Sequence, residues 1–152
     1  MKGQHTVTRY HDICTGHRVH NHESKCAHLH GHNYRIHFTI ATKPLREQLD
    51  TVGRVIDFSV IKTKLCEWLE KTWDHKFLVW EQDPMAKMLR ALDPLGVVFV
   101  GFNPTAENMA EYLVEYIGPH ELHGTGVTLV SVRIEETAKC SADYTKLIEL
   151  TP

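Results

Sequence analysis

The amino-acid sequence predicts an α+β domain with helices on one face of an antiparallel β-sheet. Two observations carry the expectation. Strand-like and helix-like periodicities follow one another as strand, strand, helix, helix, strand, strand. A length of 152 residues, 42% hydrophobic and 24% charged, suits one soluble domain over 1–152 with a single core.

The first strand is read at Thr6-Val7-Thr8-Arg9-Tyr10, where β-branched and aromatic residues gather. His11 to Lys25 is polar and irregular and reads as a loop, a common mounting for site residues. From Asn33 to Thr42, Tyr34, Ile36, Phe38 and Ile40 alternate with Arg35, His37 and Thr39, the period of a strand with one buried face. A polar connection runs from Lys43 to Gly53. Phe58, Ile61, Leu65, Trp68, Leu69 and Trp73 then recur at three and four, forming one apolar helical stripe that delivers Asp74 and His75 at its C-terminal end. Beyond Phe77–Trp80, a short helix is expected around Met85 to Leu92 and a short strand at Val97–Val100. Pro104 and Thr105 open a further helix, with Thr105 as N-cap, Met109, Leu113, Tyr116 and Ile117 on its buried side and Gly118-Pro119 at its end. Val127 to Glu135 reads as a strand. After a turn near Ala138-Lys139, a last strand is expected from about Ser141 to Leu150.

A net charge of -2 provides no overall basic surface for a nucleic-acid backbone. The first residues lack an apolar signal-peptide core, and no stretch approaches the roughly 18 apolar residues of a membrane span, so a cytoplasmic protein is expected. Cys14, Cys26, Cys66 and Cys140 show no framework spacing and read as free thiols. The unusual count is twelve histidines, many in the first quarter of the chain, which favours metal or proton chemistry there.

The densest stretch is Cys26-Ala27-His28-Leu29-His30-Gly31-His32-Asn33-Tyr34. On a strand, His30 and His32 present both imidazoles to one side, the face that also carries Tyr34 to Ile40, so a metal held there sits at the rim of the core. Gly31 suits a backbone passing close to an ion or substrate. With Cys26, His17, His20 and His22 nearby, the donor set favours zinc or another borderline transition metal over calcium or magnesium.

Cys-x-x-x-His-Gly-His-x-Tyr, preceded by His17-Arg18, resembles the signature of the 6-pyruvoyltetrahydropterin synthase / 6-carboxytetrahydropterin synthase family. Val55-Ile56-Asp57-Phe58, Asp74-His75, Pro104-Thr105-Ala106-Glu107-Asn108 and Glu135-Glu136-Thr137 follow in the family's order. The resemblance implies the tunnelling fold, in which such units assemble side by side into a barrel of strands, commonly a homohexamer of two trimers with active sites at subunit interfaces. It implies zinc held by His17, His30 and His32, with His20 and His22 as competitors for the third place. It assigns Cys26 as proton acceptor, the alternative being a fourth zinc ligand in a closed site, and His75 as acid/base with Asp74 tuning it. Glu136 would hold the pterin ring through a two-pronged carboxylate contact, with Glu135 as its neighbour and competitor. Thr105 and Glu107 would frame the ring or cap the helix, and Asp57 reads as a local structural carboxylate. Arg18, Lys25, Arg35 and Lys139 are candidates for the substrate's phosphates.

The implied activity is a zinc-dependent lyase acting on 7,8-dihydroneopterin triphosphate. Its product is 6-carboxytetrahydropterin with acetaldehyde, on the route to queuosine, or alternatively 6-pyruvoyltetrahydropterin; a non-catalytic zinc-stabilised module is a reading of another class. The chain departs from the family's compact pattern in one place, a longer stretch between Asp74-His75 and Pro104-Thr105, which leaves open how the pocket is covered.

Overall fold

The structure, a computed structural model, describes residues 3–43 and 49–147. Among the described residues, six strands form one sheet in the order β4-β3-β1-β2-β5-β6. Its centre is the antiparallel pair β1 (Thr6–His17) and β2 (His30–Thr42), in register from Thr6↔Ala41 to His17↔His30. β5 (Val127–Thr137) pairs antiparallel with β2, and β6 (Cys140–Thr145) with β5. These four strands are the expected antiparallel sheet. On the other side β3 (Phe77–Trp80) and β4 (Val97–Val100) join in parallel, so the whole sheet is mixed. The helix α3 (Ala86–Leu92) lies in the connection from β3 to β4, the crossover that a parallel pair requires.

β1 extends seven residues beyond the strand read from the sequence, through the expected loop to His17. The segment reads as polar because one strand face, with Tyr10, Asp12 and Cys14, is open to solvent, while the opposite face buries Ile13, Thr15 and His17. Thr15 is buried without penalty because its hydroxyl donates to the Trp73 carbonyl at 2.9 Å.

The first helical stretch runs as α1 (Phe58–Ile61), a π-helical segment (Lys62–Cys66) and α2 (Glu67–Thr72). Asp57 caps it, accepting the Ser59 N–H at 2.8 Å, which is the structural role expected for this carboxylate. Ile61, Leu65, Leu69 and Trp73 are buried as expected, but Phe58, in the first turn of α1 directly after its cap, is exposed. The second stretch is α4 (Ala106–Tyr112), a π-helical segment (Leu113–Ile117) and α5 (Gly118–Glu121). Here two expectations are corrected. Tyr116 lies on the surface, stacked on Tyr112. Gly118-Pro119 does not end the helix: Pro119 falls in the first turn of α5, where its missing N–H costs little. Gly118 serves close packing, since a Cβ there would sit 2.8 Å from the Leu129 Cβ.

The core forms where both helical stretches meet Ile13, Tyr34, Ile36, Phe38, Val132 and Ile134 of the sheet. The helix-free face is a polar ladder, with Arg35 on Asp12, His37 on Glu135 and Arg133 on Asp143. Among the described residues, the last strand ends at Thr145; the rest of its expected span to Leu150 lies partly outside them, as does part of the connection from Lys43 to Gly53.

Candidate active site

His17 ends β1 opposite His30, which starts β2, and His32 lies one pleat further on the same face. Their ligand nitrogens all lie within 4.8 Å of one another, and no other such cluster of three or more donors occurs among the described residues. His17 Nδ1–H donates to the Pro104 carbonyl at 2.7 Å, and His30 Nδ1–H donates to the His28 carbonyl at 2.8 Å. These bonds leave both Nε2 atoms as bare acceptors, and they face each other at 3.0 Å. His32 Nε2 is buried without a hydrogen-bond partner; Glu136 Oε1, at 3.4 Å, is within ion-pair reach but not in bonding geometry. Three inward imidazole nitrogens, two of them in lone-pair contact and one orphaned, fit a metal cation. Burial, reinforced by the neighbouring imidazoles, pushes the His17 pKa down to about 4 against the pull of Pro104, so the ring is neutral and ready to ligate. Burial also lowers His32, opposed by the Glu136 carboxylate.

The strand ends carry this cluster because two glycines face each other across them. A Cβ on Gly31 would lie 2.9 Å from the Thr15 carbonyl oxygen and 3.2 Å from Gly16 Cα. The close approach served by Gly31 is therefore to the β1 backbone. His20 and His22 stand outside the cluster. The His20 ring is 3.4 Å from the Arg18 guanidinium, and His22 Nδ1 accepts the Ser24 N–H at 2.9 Å.

Cys26 lies on a 3-10 turn (Lys25–Ala27) and lines a cavity of about 310 Å³ with His17, Thr105, Glu107 and Glu136. His75 lines a second cavity of about 660 Å³ with His32, Asn33 and Glu136. Glu136 thus borders both. A β-bulge aims it there, since Glu135 pairs with Ser141 and Thr137 with Cys140, while Glu135 turns to His37 on the opposite face at 2.7 Å. Asp74 and His75 are fixed to β1: Asp74 Oδ1 accepts the Cys14 N–H at 2.9 Å, and the His75 N–H donates to the Cys14 carbonyl at 2.7 Å. His75 takes a left-handed φ of 56°, and its Nδ1 lies 2.9 Å from Asp74 Oδ2. Burial works against ionisation of Asp74, but the Cys14 N–H and His75 hold its carboxyl below the usual carboxylate range. Thr105 caps α4, its hydroxyl accepting the Asn108 N–H at 3.2 Å.

Two phosphate candidates are already engaged. Arg35 holds Asp12 with both Nε and Nη2 and lies 4.1 Å from the Tyr10 ring centroid, while Arg18 is bonded internally. Lys25 and Lys139 are exposed. Sequence reasoning missed the site's backbone acceptors, the carbonyls of Pro104 and His28, which leave no side-chain signature. It also assigned no role to Tyr34, whose buried hydroxyl lies 3.2 Å from both nitrogens of His17.

A sequence model of the 6-pyruvoyl tetrahydropterin synthase family matches residues 6–147. The chain belongs to that family. It is 33% identical over 134 residues to the 6-carboxy-5,6,7,8-tetrahydropterin synthase of Rickettsia typhi, covering 88% of this chain and 94% of that protein. It is 34% identical over 131 residues to the probable 6-carboxy-5,6,7,8-tetrahydropterin synthase of Halobacterium salinarum, covering 86% and 79%. Among solved structures, an uncharacterized protein from Wolinella succinogenes superimposes with a TM-score of 0.81 at 23% identity, over 96% of this chain and 100% of that one. The 6-pyruvoyl tetrahydropterin synthase of Caenorhabditis elegans gives 0.64 at 23% identity, over 95% and 97%. The fold is therefore the tunnelling fold of the pterin synthases. No described helix is long and apolar enough to cross a membrane.

Proposed function

We propose that the protein is a zinc-dependent lyase that converts 7,8-dihydroneopterin triphosphate to 6-carboxy-5,6,7,8-tetrahydropterin, releasing acetaldehyde and triphosphate, in queuosine and 7-deazaguanine biosynthesis. The observation that carries the reading is the convergence of His17, His30 and His32 beside two cavities that share Glu136 in their walls. The names of the Rickettsia and Halobacterium relatives support the carboxy product.

His17, His30 and His32 would hold the zinc. Zinc held there would supply Lewis acidity toward an oxygen of the substrate's side chain. Cys26, in the cavity shared with His17, takes a proton from the substrate's side-chain carbon. His75 delivers a proton from the other cavity, its ring oriented by the Asp74 carboxylate. Glu136, in the wall of both, accepts paired N–H bonds from the pterin and so holds the ring while its side chain reaches the histidines. Thr105 supports this wall through the helix cap and Glu107 lines it beside Cys26. A donor set of three histidines, and not four ligands, is the one a catalytic zinc would use. Among the described residues β4 and β6 are the edge strands of the sheet, which fits a side-by-side assembly of sheets, for which we propose a homohexamer of two trimers.

The test is incubation of the zinc-loaded protein with 7,8-dihydroneopterin triphosphate, with mass spectrometry of the products and trapping of aldehyde. The expected result is 6-carboxytetrahydropterin with acetaldehyde. A pyruvoyl product without aldehyde would replace the carboxy reading, and no reaction by folded, zinc-loaded protein would overturn the enzyme reading.

A further inference from the structure

The stretch between β3 and α4, longer than in the family's compact pattern, makes contact with the loop that carries Cys26. Asp83, just after β3, has a fully buried carboxylate, and its Oδ2 accepts from Arg18 Nε at 2.7 Å. Arg18 Nη1 then donates to the Ala27 carbonyl at 2.8 Å, next to Cys26. Asp83 is itself anchored, Oδ1 accepting the Met85 N–H at 2.9 Å. At the far end of the stretch, Asn103 grips the same loop through both functions of its amide. Its Nδ2 donates to the His20 carbonyl and its Oδ1 accepts the His20 N–H, each at 2.9 Å. The Asn108 side chain holds Asn103 in turn, donating to its carbonyl at 2.9 Å. Within the loop, the Val19 N–H donates to the Cys26 carbonyl at 3.0 Å.

A buried carboxylate is retained at a cost unless its partner geometry does something an apolar pair would not. Here the guanidinium has one prong on the carboxylate and one on the residue after the thiol. We infer that Asp83, acting through Arg18, and Asn103 are positioning residues that fix the Cys26 turn against the His17 side of the site. The long stretch thereby sets the place of the proton acceptor. Arg18 is thus a strut for the loop and not a phosphate ligand. The inference rests on the proposed role of Cys26, but the clamp itself has a readout independent of turnover.

The experiment compares zinc-loaded wild type with Asp83→Asn, Asp83→Glu and Asn103→Ala. Two quantities are followed, kcat against KM with the pterin triphosphate, and the rate of iodoacetamide modification of each cysteine, resolved by peptide mass spectrometry. Asp83→Asn keeps the shape and removes the charge. It is expected to keep zinc at the wild-type level, to lower kcat by about tenfold or more with little change in KM, and to speed modification of Cys26 several-fold. Cys14, on the other cavity, serves as the internal reference and keeps its rate. Asp83→Glu restores part of both, and Asn103→Ala repeats the Cys26 effect from the other end. Should Asp83→Asn fail to fold, Asn103→Ala decides alone. Variants that only lower the melting temperature, with the Cys26 rate and kcat unchanged, overturn the inference. A Cys26 effect in a protein whose wild type turns over no pterin upholds the clamp and refutes the activity.

Discussion

His17 makes the metal-free protein sensitive to acid in a way that can be calculated. It is only 1% exposed, and its pKa is pushed from 6.5 to about 4. Because the folded value lies below the unfolded one, the unfolded chain takes up the proton first, and stability falls as pH drops below about 6.5. The fall continues until the folded state also protonates near pH 4 and then levels off. At about 1.4 kcal/mol per pH unit, the full interval is worth about 3 kcal/mol, and the step from pH 7 to pH 5 about 2 kcal/mol. The assay is urea denaturation of chelator-treated protein at pH 7, 6 and 5, for wild type and His17→Gln. Titrating groups outside the histidine cluster are common to both proteins, so the difference between their pH slopes reports this ring together with its coupling to His30 and His32. Wild type should lose about 2 kcal/mol more than the variant across that range. Equal slopes would refute the claim that His17 is held neutral by burial at the site.

Three further outcomes are expected. Gly31→Ala drives a methyl onto the Thr15 carbonyl, spreads the strand ends that carry the triad, and should weaken zinc binding about 10- to 100-fold in competition with a chromophoric chelator. Cys26→Ser and His75→Ala should each retain full zinc by metal analysis while turnover falls about a hundredfold or more. Gly118→Ala, far from the site, should cost about 1–3 kcal/mol through its clash with Leu129 and lower the melting temperature without changing zinc content.

Much of this arrangement is legible in the sequence. Strand parity alone places His30, His32 and Tyr34 on one face, because side-chain direction on a strand follows from residue number. The Thr105 cap follows from the residue type at a helix start, whereas Asp57 reads only as a structural carboxylate until the structure shows it capping α1. The end of β1 is harder to read. Thr15 and His17 are buried polar residues satisfied by groups distant in the chain, Trp73 and Pro104, and nothing local announces such partners. The π turns are equally hidden, since one inserted residue of phase leaves the three-and-four pattern nearly intact while moving Tyr116 outward. The parallel addition of β3 and β4 depends on a crossover whose strands, at four residues each, are too short for a periodic signal. The engagement of Arg18 by Asp83 spans 65 positions, so the sequence offered Arg18 as an open cation where the fold had closed it.

The most direct test of the metal site as a catalytic one is zinc-edge X-ray absorption of the purified, zinc-loaded protein. The His17, His30 and His32 arrangement predicts a first shell of nitrogen and oxygen alone at about 2.0–2.1 Å. A sulfur scatterer at about 2.3 Å would place Cys26 on the metal, close the fourth position, and contradict its role as the proton acceptor.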